Sequence, residues 1–272
     1  MTTYQAARTV PTPPSDCDVL VIGAGIAGLV TAMRLRAARP GLHVEVVDVA
    51  PQVGGKLRTG ELAGTTIDVG AEAVIARRPE GLALIDELGL SDRLRYPGVS
   101  DARITSGGRQ VPVPQDTLMG VPTDIEAVAR TGLLSDEGLA RLRRPARTPL
   151  RGDVSVADAI GGQLGHEVVD RLVEPLLAGV YAGRAESLSL AATIPALRAA
   201  LDGGTDVLSA ARAARAAQPR SDAPVFATLA GGIGTIPQEI VTAAGLSVTL
   251  GCPARSIERA GDGLVVEVGA AP

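Results

Sequence analysis

Gly23-Ala24-Gly25-Ile26-Ala27-Gly28 follows directly on the apolar run Asp18-Val19-Leu20-Val21-Ile22. Glycines at this spacing suit a loop that takes a pyrophosphate. Gly23 permits a tight turn out of a strand, Gly25 lets backbone approach the phosphates without a Cβ between them, and Gly28 lets the next helix pack closely on the sheet. About twenty residues further on, Val44-Glu45-Val46-Val47 ends in Asp48, a carboxylate able to accept hydrogen bonds from an unphosphorylated ribose. A second glycine pair and a cation, Gly54-Gly55-Lys56, come next. The fingerprint alone admits either a nicotinamide or a flavin dinucleotide.

Such a site needs a strand, a helix and a second strand to hold it. The helix expected from Ile26 to about Arg39 would aim its N-terminal N–H groups and positive dipole end at the phosphates. Val19 to Met33 is uncharged but shorter than the ~20 residues a spanning helix needs, and it reads as buried strand and helix. His43 and His166 are isolated, and Cys17 and Cys252 lie far apart and are expected as free thiols. The sequence therefore shows no metal site and no nucleophilic triad, and no protein catalytic residue is assigned.

The chain has 272 residues, 46% of them hydrophobic and 1% aromatic, with a net charge of −4. Aliphatic packing must build the core, and neither stacking on nucleobases nor non-specific nucleic-acid binding is expected. Residues 1–15 read as a flexible leader without signal-peptide layout, consistent with a cytoplasmic protein. A hairpin is expected around Thr59 to Val69, a tight loop at Gly70-Ala71-Glu72-Ala73, a helix from Pro79 ending at Gly89, and a second hairpin across Ser106–Arg109. From about Thr123 to Ala217 the pattern is helical, with Pro175 interrupting one helix near its end. Strand texture returns at Val225–Leu229, followed by a glycine turn, a helix from Ile236, and strands near 246–250, 255–257 and 264–268. The organisation expected is α/β: first part of a nucleotide domain at 16–95, a mainly helical insertion at 96–224, and the returning part at 225–272. Arg141, Arg143, Arg144, Arg147 and Arg151 form a basic run, either a solvated connector or an attraction for an anionic substrate or membrane surface.

Gly54-Gly55-Lys56-Leu57-Arg58-Thr59 resembles the loop beneath the FAD diphosphate in flavoproteins of the amine oxidase and phytoene desaturase superfamily. Within it, Asp153–Asp158, Leu164–Val169, Leu172–Gly183, Leu188–Leu190, Ala76–Pro79, Met119–Pro122 and Phe226–Gly232 closely resemble bacterial oxygen-dependent porphyrinogen oxidases. Glu174-Pro175-Leu176-Leu177-Ala178-Gly179-Val180-Tyr181-Ala182-Gly183 is the most specific string. The resemblance runs from about Asp18 to Val268.

It implies a Rossmann-like FAD-binding domain with an inserted substrate domain, and the six-electron oxidation of a porphyrinogen in haem biosynthesis with O2 as acceptor. The substrate would be coproporphyrinogen III, toward which the long string leans, or protoporphyrinogen IX. FAD contacts then fall on Gly23 through Gly28, Asp48, Gly55, Lys56, Gly70, Ala71, Glu72 and Ala73, with Ala254 meeting the adenine through its backbone. Arg77 or Arg78 would meet substrate carboxylates, and Val180 and Tyr181 would wall the macrocycle. Many relatives carry Glu in place of Asp48, and Gly-Pro-Asp/Glu-Ser in place of Gly70–Ala73. Family members also continue well beyond residue 272, so the sequence is expected to be C-terminally truncated, its FAD domain incomplete. The alternatives are another flavin amine oxidase or carotenoid desaturase, and a non-catalytic FAD- or tetrapyrrole-binding fragment.

Overall fold

In the computed structural model, which describes residues 16–98, 102–106, 108–114, 116–146, 150–218 and 224–269, strand Val19–Ile22 runs parallel to Val44–Asp48. The expected leader, Gly107 and Arg147 lie outside the described residues. The chain divides into two compact units, one running to Gly98 and resuming at 223, the other spanning 99–222.

In the first unit, Val44–Asp48 is the middle strand of a parallel sheet, flanked by Val19–Ile22 and by Ser247–Leu250 from the far end of the chain. A middle parallel strand is covered on both faces, which is why its sequence is nearly continuous in valine. Of its two carboxylates, Glu45 is buried but satisfied: His43 Nε2 lies 3.0 Å from one oxygen, and the Ser247 hydroxyl donates to the other at 2.6 Å. Helices Ile26–Ala38 and Ile236–Ala244 pack together, and Leu29, Ala32, Met33, Ile236 and Ile240 share an aliphatic core with Val44, Val46 and Ile85. Hairpin Thr59–Leu62/Thr65–Asp68 and a small antiparallel sheet belong to the same unit; Phe226–Leu229 is the centre of that sheet, between Val74–Ile75 and Leu94–Arg95. Helix Pro79–Glu87 starts on its proline, whose missing N–H costs nothing at that position. The two late strands form one hairpin, Ala254–Ala260 with Gly263–Val268, longer than the sequence pattern indicates.

The second unit carries hairpin Arg103–Ser106/Arg109–Pro112 and a set of short helices. Asp124, Ser135, Ser155, Ser189 and Asp206 each cap a helix by accepting backbone N–H groups with the side chain. Leu164, Leu172, Leu177, Leu190 and Leu197 are fully buried in its core. Pro175 does not end its helix. The chain widens into a π-helical turn at Val169–Val173 and continues as helix Glu174–Tyr181. Proline cannot donate to, and would collide with, the carbonyl one α-turn earlier; the wider turn relieves both faults. Gly120, at φ +84°, sits against this turn, and a Cβ there would lie 2.5 Å from the Leu172 carbonyl oxygen.

Candidate functional site

Three loops of the first unit meet, joined by backbone hydrogen bonds. The Gly23 N–H donates to the Val47 carbonyl at 2.7 Å, and Gly54 N–H donates to the Ala24 carbonyl at 2.8 Å, placing Gly25 beside Gly54 in a parallel bridge. Val69 N–H donates to Arg58 O and Ala71 N–H to Lys56 O, each at 2.9 Å. The fingerprint at 23–28, the second glycine turn at 54–56 and the loop at 70–73 are thereby brought together in one place.

The glycines divide by what surrounds them. A Cβ on Gly28 would fall 1.9 Å from the Gly23 carbonyl oxygen, one on Gly54 2.1 Å from Leu57 O, and one on Gly70 2.1 Å from Lys56 O. Packing within the protein therefore requires these three. Gly25 is different: its backbone is ordinary, at φ −72°, and a Cβ there would meet nothing within 4 Å. Nothing in the protein itself demands glycine at that position, whereas the close approach of a phosphate would.

Gly25 also stands at the N-terminus of helix Ile26–Ala38, which has no side-chain cap and no acidic residue in its first turn. Its first amides thus meet no capping side chain, unlike the five helix starts of the second unit capped by serine or aspartate. Open glycine, uncapped amides and the positive end of a helix dipole are the features a diphosphate would require.

Asp48 holds the loop together. Its Oδ2 accepts the Ala24 N–H at 2.6 Å and its Oδ1 accepts the Ala50 N–H at 2.7 Å. The carboxylate thus builds the phosphate loop, and the remaining lone pairs of its oxygens stay available to a ribose hydroxyl. The chain that leads to Ala254 passes alongside: Gly251 N–H donates to Ala50 O at 3.0 Å, and Cys252 N–H to Asp48 O at 2.8 Å. Lys56, Ala71, Glu72 and Ala73 are exposed at the junction. Arg77 and Arg78 are exposed in the turn before helix Pro79–Glu87, and the Arg78 N–H donates to Ile75 O. Val180 and Tyr181 belong to the second unit, at the end of helix Glu174–Tyr181. Val180 is 60% exposed, while Tyr181 fixes its hydroxyl on the Thr193 carbonyl at 3.1 Å.

Sequence reasoning missed Asp68 and the partners of the Gly231–Gly234 turn. Asp68 accepts the Ile233 N–H at 3.0 Å and the Gly234 N–H at 2.8 Å. An acid just ahead of Gly70 and a glycine-rich turn were both visible, but their pairing spans the whole inserted unit.

Residues 26–271 match the family of flavin-containing amine oxidoreductases. The chain belongs to this family. It is 42% identical over 227 residues to coproporphyrinogen III oxidase of Mycobacterium tuberculosis, covering 81% of this chain and 49% of the relative. It is 32% identical over 183 residues to the Staphylococcus aureus coproporphyrinogen III oxidase, covering 65% and 39%. A solved structure from Exiguobacterium sp. 255-15, assigned as a protoporphyrinogen oxidase, superposes with a TM-score of 0.76 at 26% identity, over 92% of this chain and 56% of that one. The chain thus spans about half the length of the relatives it matches. Family membership makes the dinucleotide FAD, and the uncapped helix start, open Gly25 and Asp48 fit its diphosphate and ribose.

Proposed function

We propose that this chain takes part in the FAD-dependent oxidation of a porphyrinogen, coproporphyrinogen III foremost, in haem biosynthesis in the cytoplasm. The similarity to coproporphyrinogen III oxidase carries the reading, because it extends through both units. In this reading the first unit holds FAD and the helical unit is the substrate domain. Bound FAD supplies the electron acceptor for hydride leaving the macrocycle, and O2 finally takes the six electrons and six protons as hydrogen peroxide.

The chain's own residues bind and orient. The amides of Gly25 to Ala27 meet the diphosphate, Asp48 accepts from the ribose, and the backbone of Ala254 meets the adenine. Gly55, Lys56 and the Gly70–Ala73 loop lie along the cofactor, with Lys56 balancing phosphate charge. Arg77 or Arg78 pairs with a propionate of the substrate, for which a guanidinium offers two parallel donors. Val180 gives the macrocycle an apolar contact, and Tyr181, held by Thr193, fixes the helix end beside it.

The test is incubation of the protein with FAD and coproporphyrinogen III in air, following porphyrin fluorescence and peroxide. Porphyrin formation above the no-protein rate, and faster than with protoporphyrinogen IX, is expected. FAD bound with no porphyrin formed would reduce the chain to a cofactor-binding role. Ammonia released from an amine would point to another amine oxidase activity.

A further inference from the structure

Asp68 closes the first unit at the point where the chain returns from its long excursion. It ends strand Thr65–Asp68, two residues before Gly70, and its two oxygens separately accept the N–H groups of Ile233 and Gly234. Those amides open the short helical turn that continues into helix Ile236–Ala244, so the carboxylate also lies at the positive end of that helix. The fit around it leaves no slack. A Cβ on Gly232, at φ +89°, would stand 2.6 Å from Asp68 Oδ1, and one on Gly234 would stand 2.5 Å from the Arg58 carbonyl carbon. The returning turn is therefore clamped against both Asp68 and the backbone of Arg58 and Thr59. Arg58 in turn accepts the Val69 N–H, and Lys56, two residues before it, accepts the Ala71 N–H. Arg93 also braces the turn, donating to Ala230 O at 3.0 Å and to Glu239 Oε1 at 3.0 Å.

We infer that Asp68 is a positioning residue for cofactor binding. It locks the Lys56–Thr59 and Gly70–Ala73 loops onto the returning segment, so that both are pre-formed before FAD arrives. The inference rests on the FAD reading above. Pre-organised loops spare a ligand the cost of ordering them, so releasing the clamp should appear in affinity and in the bound flavin's environment. Asparagine keeps the shape and one acceptor but loses the charge and the second acceptor; alanine loses everything.

The experiment compares wild type, Asp68→Asn, Asp68→Ala and Asp86→Asn by FAD titration, well below each protein's melting temperature. Asp86, which accepts from the Ser91 hydroxyl on the surface, serves as control. Affinity should fall about tenfold in Asp68→Asn and further in Asp68→Ala, with weaker quenching of flavin fluorescence even at saturation. Asp86→Asn should match wild type. Hydrogen exchange of the same proteins without FAD should quicken at the Leu57, Val69 and Ala71 amides in the Asp68 variants only. Folded Asp68→Asn with wild-type affinity, flavin spectrum and exchange would overturn the inference. If wild type takes up no FAD, the cofactor reading fails, and the exchange at those three amides still decides whether Asp68 sets the loops.

Discussion

Gly25 and Gly28 have the same side chain and opposite reasons for it. Gly28 is held by packing, because a methyl group would overlap the Gly23 carbonyl oxygen at 1.9 Å. Gly28→Ala should therefore destabilise the first unit by about 1–3 kcal/mol, measured by denaturant unfolding. Gly25→Ala meets no atom and should cost under about 1 kcal/mol, yet weaken FAD binding by about tenfold or more, because the methyl group occupies the phosphate approach. Equal FAD affinity in folded Gly25→Ala would move the diphosphate elsewhere. Asp48→Ala removes the acceptor for Ala24 and Ala50 as well as the proposed ribose contact, so purified protein should retain less FAD than wild type. Flavin absorbance per protein after gel filtration reports it. The spacing of these residues is legible in the sequence; the part of Asp48 in holding the loop is not, since it depends on where the Ala24 and Ala50 amides point after folding.

At the scale of elements, the start of helix Asp136–Arg143 is fixed by a residue from another helix. Glu167 accepts the Ser135 N–H at 2.9 Å and its hydroxyl at 2.7 Å, and pairs with Arg171 at 2.8 Å. Burial alone would raise this carboxyl, but the two Ser135 bonds and the Arg171 charge outweigh it and hold it below the usual carboxylate range. A lowered folded value means stability that is fully present above the ordinary glutamate range near ~4.3 and is lost as pH falls through the lower folded value. Glu167→Gln should thus cost about 1–2 kcal/mol at neutral pH, and the difference from wild type should vanish in acid. Chemical denaturation of the second unit across pH measures this; a difference that persists at low pH would reject the ionic account. The caps at Ser135, Ser155 and Asp206 follow from local sequence. The π-turn at Val169–Val173 does not, because Pro175 only forbids the regular helix. The tertiary contact of Gly120 and the buried Leu172 and Leu177 keep the chain helical through the fault.

Across the whole molecule the two units have separate aliphatic cores, one built on Leu29, Val46, Ile85 and Ile240, the other on Leu164, Leu172, Leu177 and Leu197. Unfolding should therefore proceed in two steps by calorimetry. FAD at a hundred times its dissociation constant should raise the first unit's step by about 2.7 kcal/mol. Hydrogen exchange identifies which step belongs to which unit, and a FAD-induced shift confined to the helical unit would contradict the cofactor site described. Among the described residues no helix is long and apolar enough to cross a membrane, and no group of side chains could hold a metal ion. In the basic run, Arg141 donates to the Gly162 carbonyl and Arg143 pairs with Glu126, so these two serve local structure.

By itself the sequence determined the nucleotide chemistry and the family, because both rest on short-range patterns: glycine spacing, an acid at a strand end, and strings of residues contiguous in the chain. The tertiary structure alone decided which groups act on one another between separate segments of the chain. Asp68 reaches the Ile233 and Gly234 amides, Ser247–Leu250 becomes the third parallel strand, and Asp48 turns inward to shape the loop that it was expected only to serve. Such pairings are fixed by packing and hydrogen-bond saturation between segments far apart in the chain, and no local pattern encodes them.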